Sequence, residues 1–523
     1  MSAPFPPLRP FARGDIWAWT ATEAAAFDAY AIETIGVPQA VLLENAGRSA
    51  AGVIHRLYGG AAVVGLIGAG NNGGDGLVAL RTLHSWGYRV SAVSVSDRDL
   101  DDPLLHGWPV EVVSDADLSD EGWRHLFDRA DVVVDGLLGT GAKGAPRTRQ
   151  AKVIDRLNRS GRTVVALDVP SGVHASTGEV SGTAVRADVT IGFGAPKVGA
   201  LLHPARALVG RHVVVEIGFP PTGPEIHGTR VVTPDWARDY RPSRETDTHK
   251  NRVGRVLVVG GQAGMAGAVI LTARAAFSAG AGLVRVCTVR ENRDAIHAAV
   301  PEAMVVDVED SSALGRAASE SDAIAVGPGL GLSETARVLL RSVVASGTVP
   351  LLLDADALNL VAEGVVDLAG LSAGRAVLIT PHPGEMARLL NGEDKGRTRI
   401  EVIAEAVARF RCAVLFKGAP SLVAAPGEPL AIDSQSSSDL AVAGMGDTLS
   451  GTCVALLAQG VPTATAASLG LYLSGRAATL AGRGAGLTPS DIVRWLPEAL
   501  REGGASRTDL DLPFVTYDAD PAR

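Results

Sequence analysis

Short apolar runs alternate with longer stretches of helical periodicity along most of this chain. Several of the apolar runs lack alternating polar residues, which is typical of parallel strands buried on both faces. In the first half this pattern predicts two opening helices at 23–35 and 39–58, followed by strands at 62–68, 89–96, 131–138, 163–169, 188–193 and 212–218. Strands that alternate with helices in this way indicate a doubly wound, three-layer α/β domain.

The pattern changes between residues 219 and 254, where prolines are frequent and polar residues are dense, so this segment is predicted to be a linker. A second α/β series follows, with strands predicted at 255–260, 283–289, 322–327, 350–355, 376–380, 412–417 and 429–433 and helices at 447–459 and 463–482. The predicted fold class is therefore α/β, with two three-layer αβα domains at residues 1–225 and 226–523.

Composition narrows the possible functions of the 523-residue chain. The net charge of −9 and the low aromatic content argue against nucleic-acid binding. No apolar run is long enough for a membrane-spanning helix, and the first ten residues, which read as a loose tail, lack the apolar core of a signal peptide. Cys287, Cys412 and Cys453 lie in apolar surroundings and are expected to be buried free thiols. We therefore expect a cytoplasmic protein without a membrane or nucleic-acid partner.

The most informative motif is Gly68–Gly76, with the sequence GAGNNGGDG, which follows the first predicted strand. Glycines allow a ligand to approach the backbone closely, and N–H groups at the start of a helix can hold phosphate. The asparagine and aspartate oxygens are hard donors that suit a cation. The spacing departs from the dinucleotide motif G-x-G-x-x-G, so an ordinary dehydrogenase is not favoured. The motif predicts a site for a nucleotide-like ligand and a metal ion.

Two further predicted strands of the first half end in an aspartate, Asp135 and Asp168. A strand-end aspartate before glycine or proline usually only caps a turn. Ligands of parallel sheets, however, bind at the carboxyl ends of the strands, where Asp135 and Asp168 would converge with the NNGGDG motif. Converging acids raise one another's pKa or bind a cation, so a functional site is predicted at this edge.

These motifs, together with Glu44–Gly47 (ENAG), 136–141 (GLLGTG), 167–172 (LDVPSG) and 193–197 (FGAPK), resemble the Rossmann-like NAD(P)H-hydrate epimerase family. The resemblance covers most of residues 20–218. It implies that potassium binds Asn72, Asp135 and Ser171, and that Asp168 is the catalytic acid or base. It also implies that the hydrated coenzyme contacts Asn71, Asn72, Gly73, Gly74, Asp75, Gly139, Thr140, Gly141, Ala142, Lys143, Gly144, Ala145 and Asp168.

In the second half, the motif 443–447 (AGMGD) opens a predicted helix. Successive N–H groups at Gly444–Asp447 can face phosphate oxygens and form an anion hole at the positive end of the helix. Asp447 could take the proton of an attacking hydroxyl, or it could only be the N-cap of the helix. Lys417 and the other glycine-rich strand ends favour the catalytic interpretation.

AGMGD resembles the ribokinase-like superfamily. With His249-Lys250, 260–268 (GGQAGMAGA), 326–331 (VGPGLG), 353–359 (LDADALN), 380–385 (TPHPGE) and 417–421 (KGAPS), the second half resembles its NAD(P)H-hydrate dehydratase branch over residues 245–485. The resemblance implies ADP, or ATP, with Mg²⁺ as cofactors and Asp447 as a catalytic residue. It assigns hydrate binding to Ala268, Gly331, His382 and Asp447, and nucleotide binding to Lys417, Gly418, Ala419, Pro420, Ser421 and Gly446. The segment 436–441 and Ser421 depart from the usual family sequence, as does Asn251.

The predicted function is repair of hydrated NADH and NADPH (NADHX and NADPHX). The first half would epimerise the R and S forms, by ring opening or by loss of hydroxide, and the second would dehydrate the S form through a phosphorylated intermediate. The resemblance also implies a homo-oligomer. One alternative is a ribokinase-like small-molecule kinase with an accessory domain. Another is a first half that only binds nucleotide and has no catalytic activity.

Overall fold

The computed structural model describes residues 15–221, 223, 228–243, 253–434, 437–502 and 510–521. The chain forms two compact units, the first made of 1–229 and 506–522 and the second of 230–505. The predicted N-terminal tail and the sequence features at His249-Lys250, Asn251 and Ser436 lie outside the described residues.

The first unit contains the strands β1 (Ile16–Ala18), β2 (Val63–Ile67), β3 (Val90–Ser94), β4 (Glu111–Ser114), β5 (Val132–Gly136), β6 (Thr163–Leu167), β7 (Val189–Phe193) and β8 (Arg211–Val215), and the last strand of the chain, β19 (Val515–Ala519). Its helices are α1 (Ala21–Ala29), extended by a π-helix at Tyr30–Thr34, α2 (Gln39–Leu57), α3 (Asn71–Ser85), α4 (Asp120–Asp128), α5 (Thr148–Arg159), α6 (Val198–Leu201) and α7 (Arg206–Val209).

The main sheet of the first unit has the strand order β19-β8-β7-β6-β5-β2-β3-β4, in which only β19 runs antiparallel. Successive side chains of β2 enter two different cores: Val63 and Ile67 pack with residues of α2 and α3, whereas Val64 and Leu66 pack with residues of α4 and α5. Burial on both faces explains why the strands lack polar alternation. The predicted three-layer arrangement of this domain is confirmed.

The domain boundary differs from the prediction at the end of the chain, because β19 belongs to the first unit. Its residues pair with β8 in antiparallel register. Asp518 accepts two hydrogen bonds from Arg211 at 2.8 and 2.6 Å, and both side chains are largely buried. Phe514 packs against Gly52, where an added Cβ would lie 2.8 Å from its ring. These contacts outweigh the proximity in sequence to the second unit.

The second unit contains the strands β9 (Thr229–Val232), β10 (Arg255–Val259), β11 (Leu283–Thr288), β12 (Met304–Asp307), β13 (Ala323–Val326), β14 (Leu351–Leu353), β15 (Val377–Ile379), β16 (Ala413–Phe416), β17 (Leu422–Ala424) and β18 (Ala431–Asp433). Its helices are α8 (Pro234–Tyr240), α9 (Ala266–Ser278), α10 (Arg293–Ala299), α11 (Ser311–Ser319), α12 (Glu334–Ala345), α13 (Asp356–Ala362), α14 (Leu368–Ser372), α15 (Pro383–Leu389), α16 (Arg399–Phe410), α17 (Met445–Ala458), α18 (Thr463–Ala481) and α19 (Pro489–Glu502).

The second sheet runs β9-β18-β17-β16-β15-β14-β13-β10-β11-β12, and β17 is antiparallel to both of its neighbours. One face of this sheet is covered by α9, α17, α18 and α19, whose buried residues form one core with Leu352 of β14. The flanking residues Leu351 and Leu353, whose side chains point to the opposite face, are also fully buried. The second three-layer domain is therefore confirmed as well.

The predicted linker at 219–254 is partly wrong, because it contains β9 and α8. Val231 and Val232 are buried in β9, which pairs with β18. Thr233 caps α8, and the ring of Trp236 is almost fully buried. The frequent prolines hide this short strand, although Pro234 stands at the first position of α8, where proline is favoured.

Two predictions from composition can be compared with the structure. The three cysteines are buried free thiols, as predicted. In the part of the chain that the structure describes, no helix combines the length and apolar character needed to cross a membrane.

Candidate active sites

The NNGGDG motif forms the first turns of α3, which begins at Asn71 with Gly70 as its N-cap. Close backbone contacts explain the glycines on either side of this junction. A Cβ at Gly73 would lie 2.1 Å from the Gly68 carbonyl oxygen, and a Cβ at Gly68 would lie 1.9 Å from that of Leu137. The glycines thus let the helix start directly at the carboxyl edge of the sheet.

A cavity of about 750 Å³ opens at this edge of the first unit. Among the predicted binding residues, it is lined by Asn71, Asn72, Asp75, Gly139, Thr140, Gly141, Ala142, Lys143, Gly144, Ala145 and Asp168. Gly73 and Gly74 are absent from its lining, and a Cβ at Gly74 would meet the side chain of Leu43. Those two glycines therefore serve close packing of the helix.

Asp168 stands directly after β6 in a left-handed backbone conformation, with φ of 64°. Its Oδ1 lies 2.6 Å from the ammonium of Lys197, which also donates to the carbonyl oxygens of Phe193 and Ala195. Its Oδ2 accepts hydrogen bonds from the backbone N–H and the hydroxyl of Thr140. Burial alone would raise the pKa of Asp168, but Lys197 and these hydrogen bonds hold it below its ordinary value. Asp168 is therefore an ionised carboxylate.

Two more carboxyl groups, Asp75 and Asp28, line the same cavity. Burial, reinforced by Asp168 and Asp28, raises the pKa of Asp75 well above its ordinary value. Burial also raises the pKa of Asp28, in part opposed by Lys197. The cavity thus combines one carboxyl group whose pKa is lowered with two whose pKa is raised, an arrangement suited to both taking and giving a proton.

Of the three residues predicted to bind potassium, Asn72 lines the cavity, whereas Asp135 and Ser171 do not. Asp135 is fully buried and accepts hydrogen bonds from the hydroxyl and the N–H of Ser171 at 2.7 and 2.9 Å. Burial raises the pKa of Asp135 to about 6. The amide of Asn72 donates to the carbonyl oxygens of Leu138 and Leu167, while its Oδ1 is buried without a hydrogen-bond partner. An unsatisfied amide oxygen, a buried carboxylate and a hydroxyl are oxygen donors of the kind that a monovalent cation takes, so these residues fit potassium.

In the second unit, the AGMGD motif forms the start of α17. Gly444 is the N-cap, with φ of 89°, and Asp447 is the third residue of the helix. The alternative in which Asp447 caps the helix is therefore wrong. Among the described residues, the backbone N–H groups of Gly446 and Asp447 donate no hydrogen bond, which leaves them for an anion.

Lys417 lies at this helix start. Its ammonium is 2.7 Å from Oδ1 of Asp354 and 3.9 Å from a carboxylate oxygen of Glu385. A Cβ at Gly446 would lie 3.5 Å from the ammonium, which shows how close Lys417 is to the first turn of the helix. Asp354 is fully buried, and its second oxygen accepts a hydrogen bond from Ser450. Burial alone would lower the pKa of Lys417, but Asp354 and Glu385 outweigh it, so the ammonium stays charged.

Asp447 itself has no ion-pair partner among the described residues. The pKa of Asp447 is raised to about 6, chiefly by burial. The negative charges of Asp354 and Asp356 also raise it, and together they outweigh the lowering effect of Lys417. A carboxylate with a pKa near neutrality is well matched to general-base catalysis.

The structure gives the other predicted residues of the second unit separate roles. The N–H of Gly331 donates to Asp356 at 2.8 Å, while Ala268 lies near the same glycine loop, within 3.2 Å of a Cβ built at Gly329. His382 caps α15 through Nδ1 and is half-exposed. The hydroxyl of Ser421 closes the 417–421 turn by bonding to the backbone of Gly418.

Sequence reasoning missed three groups that complete these sites: Asp28, Asp354 and the role of Lys197. Lys197 ends the motif FGAPK, and Asp354 opens LDADALN, so both were visible as motif residues. Asp28 lies near the end of α1, in an ordinary helical sequence, and carries no local signal. Within the described residues, no cluster of three or more His, Cys, Asp or Glu side chains is arranged to hold a metal ion.

The fold and the sites define a two-unit α/β protein with a buried aspartate–lysine pair at the edge of each sheet. A family model described as YjeF-related protein N-terminus matches residues 39–199, and one described as NAD(P)H-hydrate dehydratase matches residues 256–498. The chain belongs to the family of bifunctional NAD(P)H-hydrate repair enzymes.

Two curated relatives show the extent of the similarity. The bifunctional NAD(P)H-hydrate repair enzyme of Moorella thermoacetica is 34% identical, over 92% of this chain and 96% of that protein. The enzyme of the same name from Escherichia coli K12 is 35% identical, over 88% of each. A solved ADP/ATP-dependent NAD(P)H-hydrate dehydratase from Bacillus subtilis, co-crystallised with ATP and Mg²⁺, is 26% identical over 52% of this chain and 98% of that one, with a TM-score of 0.46.

Proposed function

We propose that this protein repairs hydrated NADH and NADPH. The first unit epimerises the R and S forms of the hydrate, and the second unit dehydrates the S form at the expense of ADP. One observation carries the proposal: a chain that spans 96% of a relative named bifunctional NAD(P)H-hydrate repair enzyme has a buried aspartate–lysine pair at the ligand edge of the sheet in each of its units.

In the first unit, Asp168 is the group that moves the proton. The hydrate carries a hydroxyl on the carbon beside the ring nitrogen, and inversion requires that a bond at this carbon break and re-form. Ring opening requires that the hydroxyl lose its proton, which the ionised Asp168 can take, whereas loss of hydroxide requires that the same oxygen gain a proton from another group. Asp75 and Asp28 are placed to return a proton. Asn72, Asp135 and Ser171 would hold potassium, which would supply a fixed positive charge next to these residues.

In the second unit, Asp447 takes the proton from the hydroxyl group of the hydrate. The oxygen of that hydroxyl attacks the terminal phosphoryl group of ADP, and AMP leaves. The N–H groups of Gly446 and Asp447 and the ammonium of Lys417 face the group being transferred. The C–O bond of the resulting ester then breaks, phosphate departs, and loss of a proton from the neighbouring carbon restores the ring double bond. Phosphate is a far better leaving group than hydroxide, which gives the phosphorylation its purpose.

The direct test is incubation of the full chain with R hydrate, S hydrate or their mixture, with and without ADP. The proposal expects reduced coenzyme to reappear from S hydrate only with ADP, and from R hydrate through prior epimerisation. If ADP is consumed to phosphorylate a vitamin or sugar while no NADH returns, the small-molecule kinase replaces this proposal.

The alternative in which the first unit only binds nucleotide is tested at Asp168. The Asp168→Asn variant removes the base while keeping the shape of the side chain. Unchanged R-to-S conversion in this variant would favour the binding module over the epimerase.

Several finer features are part of the same proposal. They are the choice of ADP over ATP, Mg²⁺ as the companion of the nucleotide phosphates, a homo-oligomeric state and a cytoplasmic location. Comparison of ADP with ATP under metal-free and Mg²⁺-supplemented conditions tests the first two, and light scattering of the purified chain tests the third.

A further inference from the structure

Arg399, the first residue of α16, contacts the backbone of the predicted nucleotide loop, residues 417–421. Its Nη2 donates to the carbonyl oxygens of Phe416, Lys417 and Pro420 at 3.2, 3.1 and 3.3 Å. Its guanidinium also lies 4.0 Å from the centre of the Phe416 ring, at a distance typical of a cation–π contact. One side chain therefore bonds both ends of the segment 416–420.

Gly418 shows how closely the guanidinium approaches this loop. A Cβ at this position would lie 2.6 Å from Nη2 and 2.8 Å from Cζ of Arg399. The φ of 152° at Gly418 adds a second reason for glycine. The backbone of the loop is thus shaped around the arginine, and the positive charge lies directly against it.

Among the residues that the structure describes, none neutralises the charge of Arg399. No described carboxylate forms an ion pair with it, and its Nε is buried without an acceptor. Burial lowers the pKa of the guanidinium to about 10, so it remains a cation at neutral pH. A partly buried cation without a counter-ion is costly unless an anion approaches it. Lys417, in contrast, is balanced by Asp354.

We propose that Arg399 is a nucleotide-binding residue that was not assigned by the motifs, and that it orders the 417–421 loop while its free charge attracts the phosphates of the bound nucleotide. This inference rests on the proposed nucleotide site at that loop. The expected ligand is a nucleoside diphosphate or triphosphate. The carbonyl oxygens bonded to Nη2 are uncharged, whereas the phosphates of such a ligand carry the negative charge that would balance the guanidinium.

The experiment compares Arg399→Gln, which keeps amide donors and loses the charge, with Arg399→Lys, which keeps the charge. Arg375→Gln is the matched control. Arg375 is also buried, donates to the carbonyl oxygens of Val343 and Val349, and has a pKa lowered to about 10 by burial. It stands before β15, at the amino end of the strand and so away from the ligand edge of the sheet.

Each full-length variant is titrated with ADP and with adenosine, and its KM for ADP and kcat for dehydration are measured. We expect Arg399→Gln to weaken ADP binding and raise KM about tenfold, as for the loss of one charge-assisted contact, with kcat and adenosine binding little changed. Arg399→Lys should recover most of the loss, and Arg375→Gln should leave KM unchanged. The kcat for dehydration, which requires a folded second unit, reports that each variant is folded around Arg399.

Two results would overturn the assignment. If Arg399→Gln binds ADP as the wild type does, the arginine makes no contribution to the nucleotide site. If the Gln and Lys variants lose ADP and adenosine equally, Arg399 is only a support for the loop. Failure of the proposed reaction looks different, because the wild-type chain would then bind ADP, with the same dependence on Arg399, yet return no NADH.

Discussion

The two units contain the same buried pair and use it differently. In the first unit, the carboxylate of Asp168, which follows β6, lies 2.6 Å from the ammonium of Lys197. In the second, Asp354 and Lys417 meet at 2.7 Å after β14. Both pairs lie at the carboxyl edge of a parallel sheet, where ligands of this fold class bind.

The difference lies in which carboxylate the lysine neutralises. In the first unit the paired aspartate is itself the candidate catalytic group, so the pairing lowers the pKa of Asp168. In the second unit the lysine is paired to a different aspartate, and Asp447 keeps a raised pKa of about 6. One buried ion pair can therefore prepare a permanently ionised base, or it can fix a cation beside a second carboxylate that titrates near neutrality.

The largest expected effect comes from exchanging each candidate base for its amide. Asp447→Asn should lower dehydration about 10²- to 10⁴-fold while epimerisation persists, and Asp168→Asn should do the reverse. Rates of R-to-S conversion and of ADP-dependent NADH recovery, measured on each variant, provide the comparison. Loss of both activities in either variant would contradict the assignment of one independent base to each unit.

The next effect comes from removing the lysine of the first pair. Lys197→Met leaves Asp168 buried without its counter-ion, so its pKa rises and the fraction that is ionised falls. We expect epimerisation to drop about a hundredfold near neutral pH and to recover partly at higher pH. The loss of a buried partner should also cost about 3–5 kcal/mol of folding free energy.

Two measurements keep the result at Lys197 interpretable. Lys152→Met, on the exposed surface of α5, should change neither the rate nor the melting temperature. A pH–rate profile separates charge from packing, because a purely structural defect would lower the rate at every pH without moving the acid limb.

A smaller effect should distinguish the two sites in the unmodified chain. The pKa of Asp447 is raised to about 6, and Asp447 acts as a base only in its ionised form. The kcat/KM for dehydration should therefore fall about tenfold per pH unit below pH 6. Asp168 has a lowered pKa, so this carboxylate gives the epimerisation no acid limb near 6. Because the pKa of Asp135 is also raised to about 6, the assays contain saturating potassium to keep this predicted ligand ionised. Parallel acid limbs at the same pH for both reactions would then mean that the pairing does not separate Asp168 from Asp447.

Much of this comparison could be predicted from sequence. The apolar runs located the central strands within a few residues, because burial on both faces leaves an unbroken hydrophobic pattern. The strands β4 and β12 were missed. Both are edge strands with partly exposed residues, Glu111–Ser114 and Met304–Asp307, and they lack that pattern.

The site residues were found as motifs, but their partners were not. Asp354 and Lys417 are 63 residues apart, and nothing local in either motif shows that they meet. The partners of the ENAG motif were not predicted either. Glu44 forms an ion pair with Arg81, and the amide of Asn45 donates to the carbonyl oxygen of Ile217, so both residues support the fold. Motifs show which residues matter, whereas the choice between catalysis and support depends on the fold.

The smallest expected effect on catalysis concerns β19, which the sequence places with the second unit and the structure with the first. Asp518→Asn removes the carboxylate that binds Arg211 in a largely buried pair, so the first unit should lose about 3 kcal/mol of stability. Neither residue lines the cavity, so the epimerisation rate at low temperature should hardly change.

Hydrogen exchange of the Asp518→Asn variant should report faster opening of β8 and β7 and unchanged protection in β10 to β16. Asp511→Asn, an exposed change in the same terminal segment, is the matched control. Faster exchange in the strands of the second unit would instead mean that β19 stabilises the unit to which its sequence position assigns it.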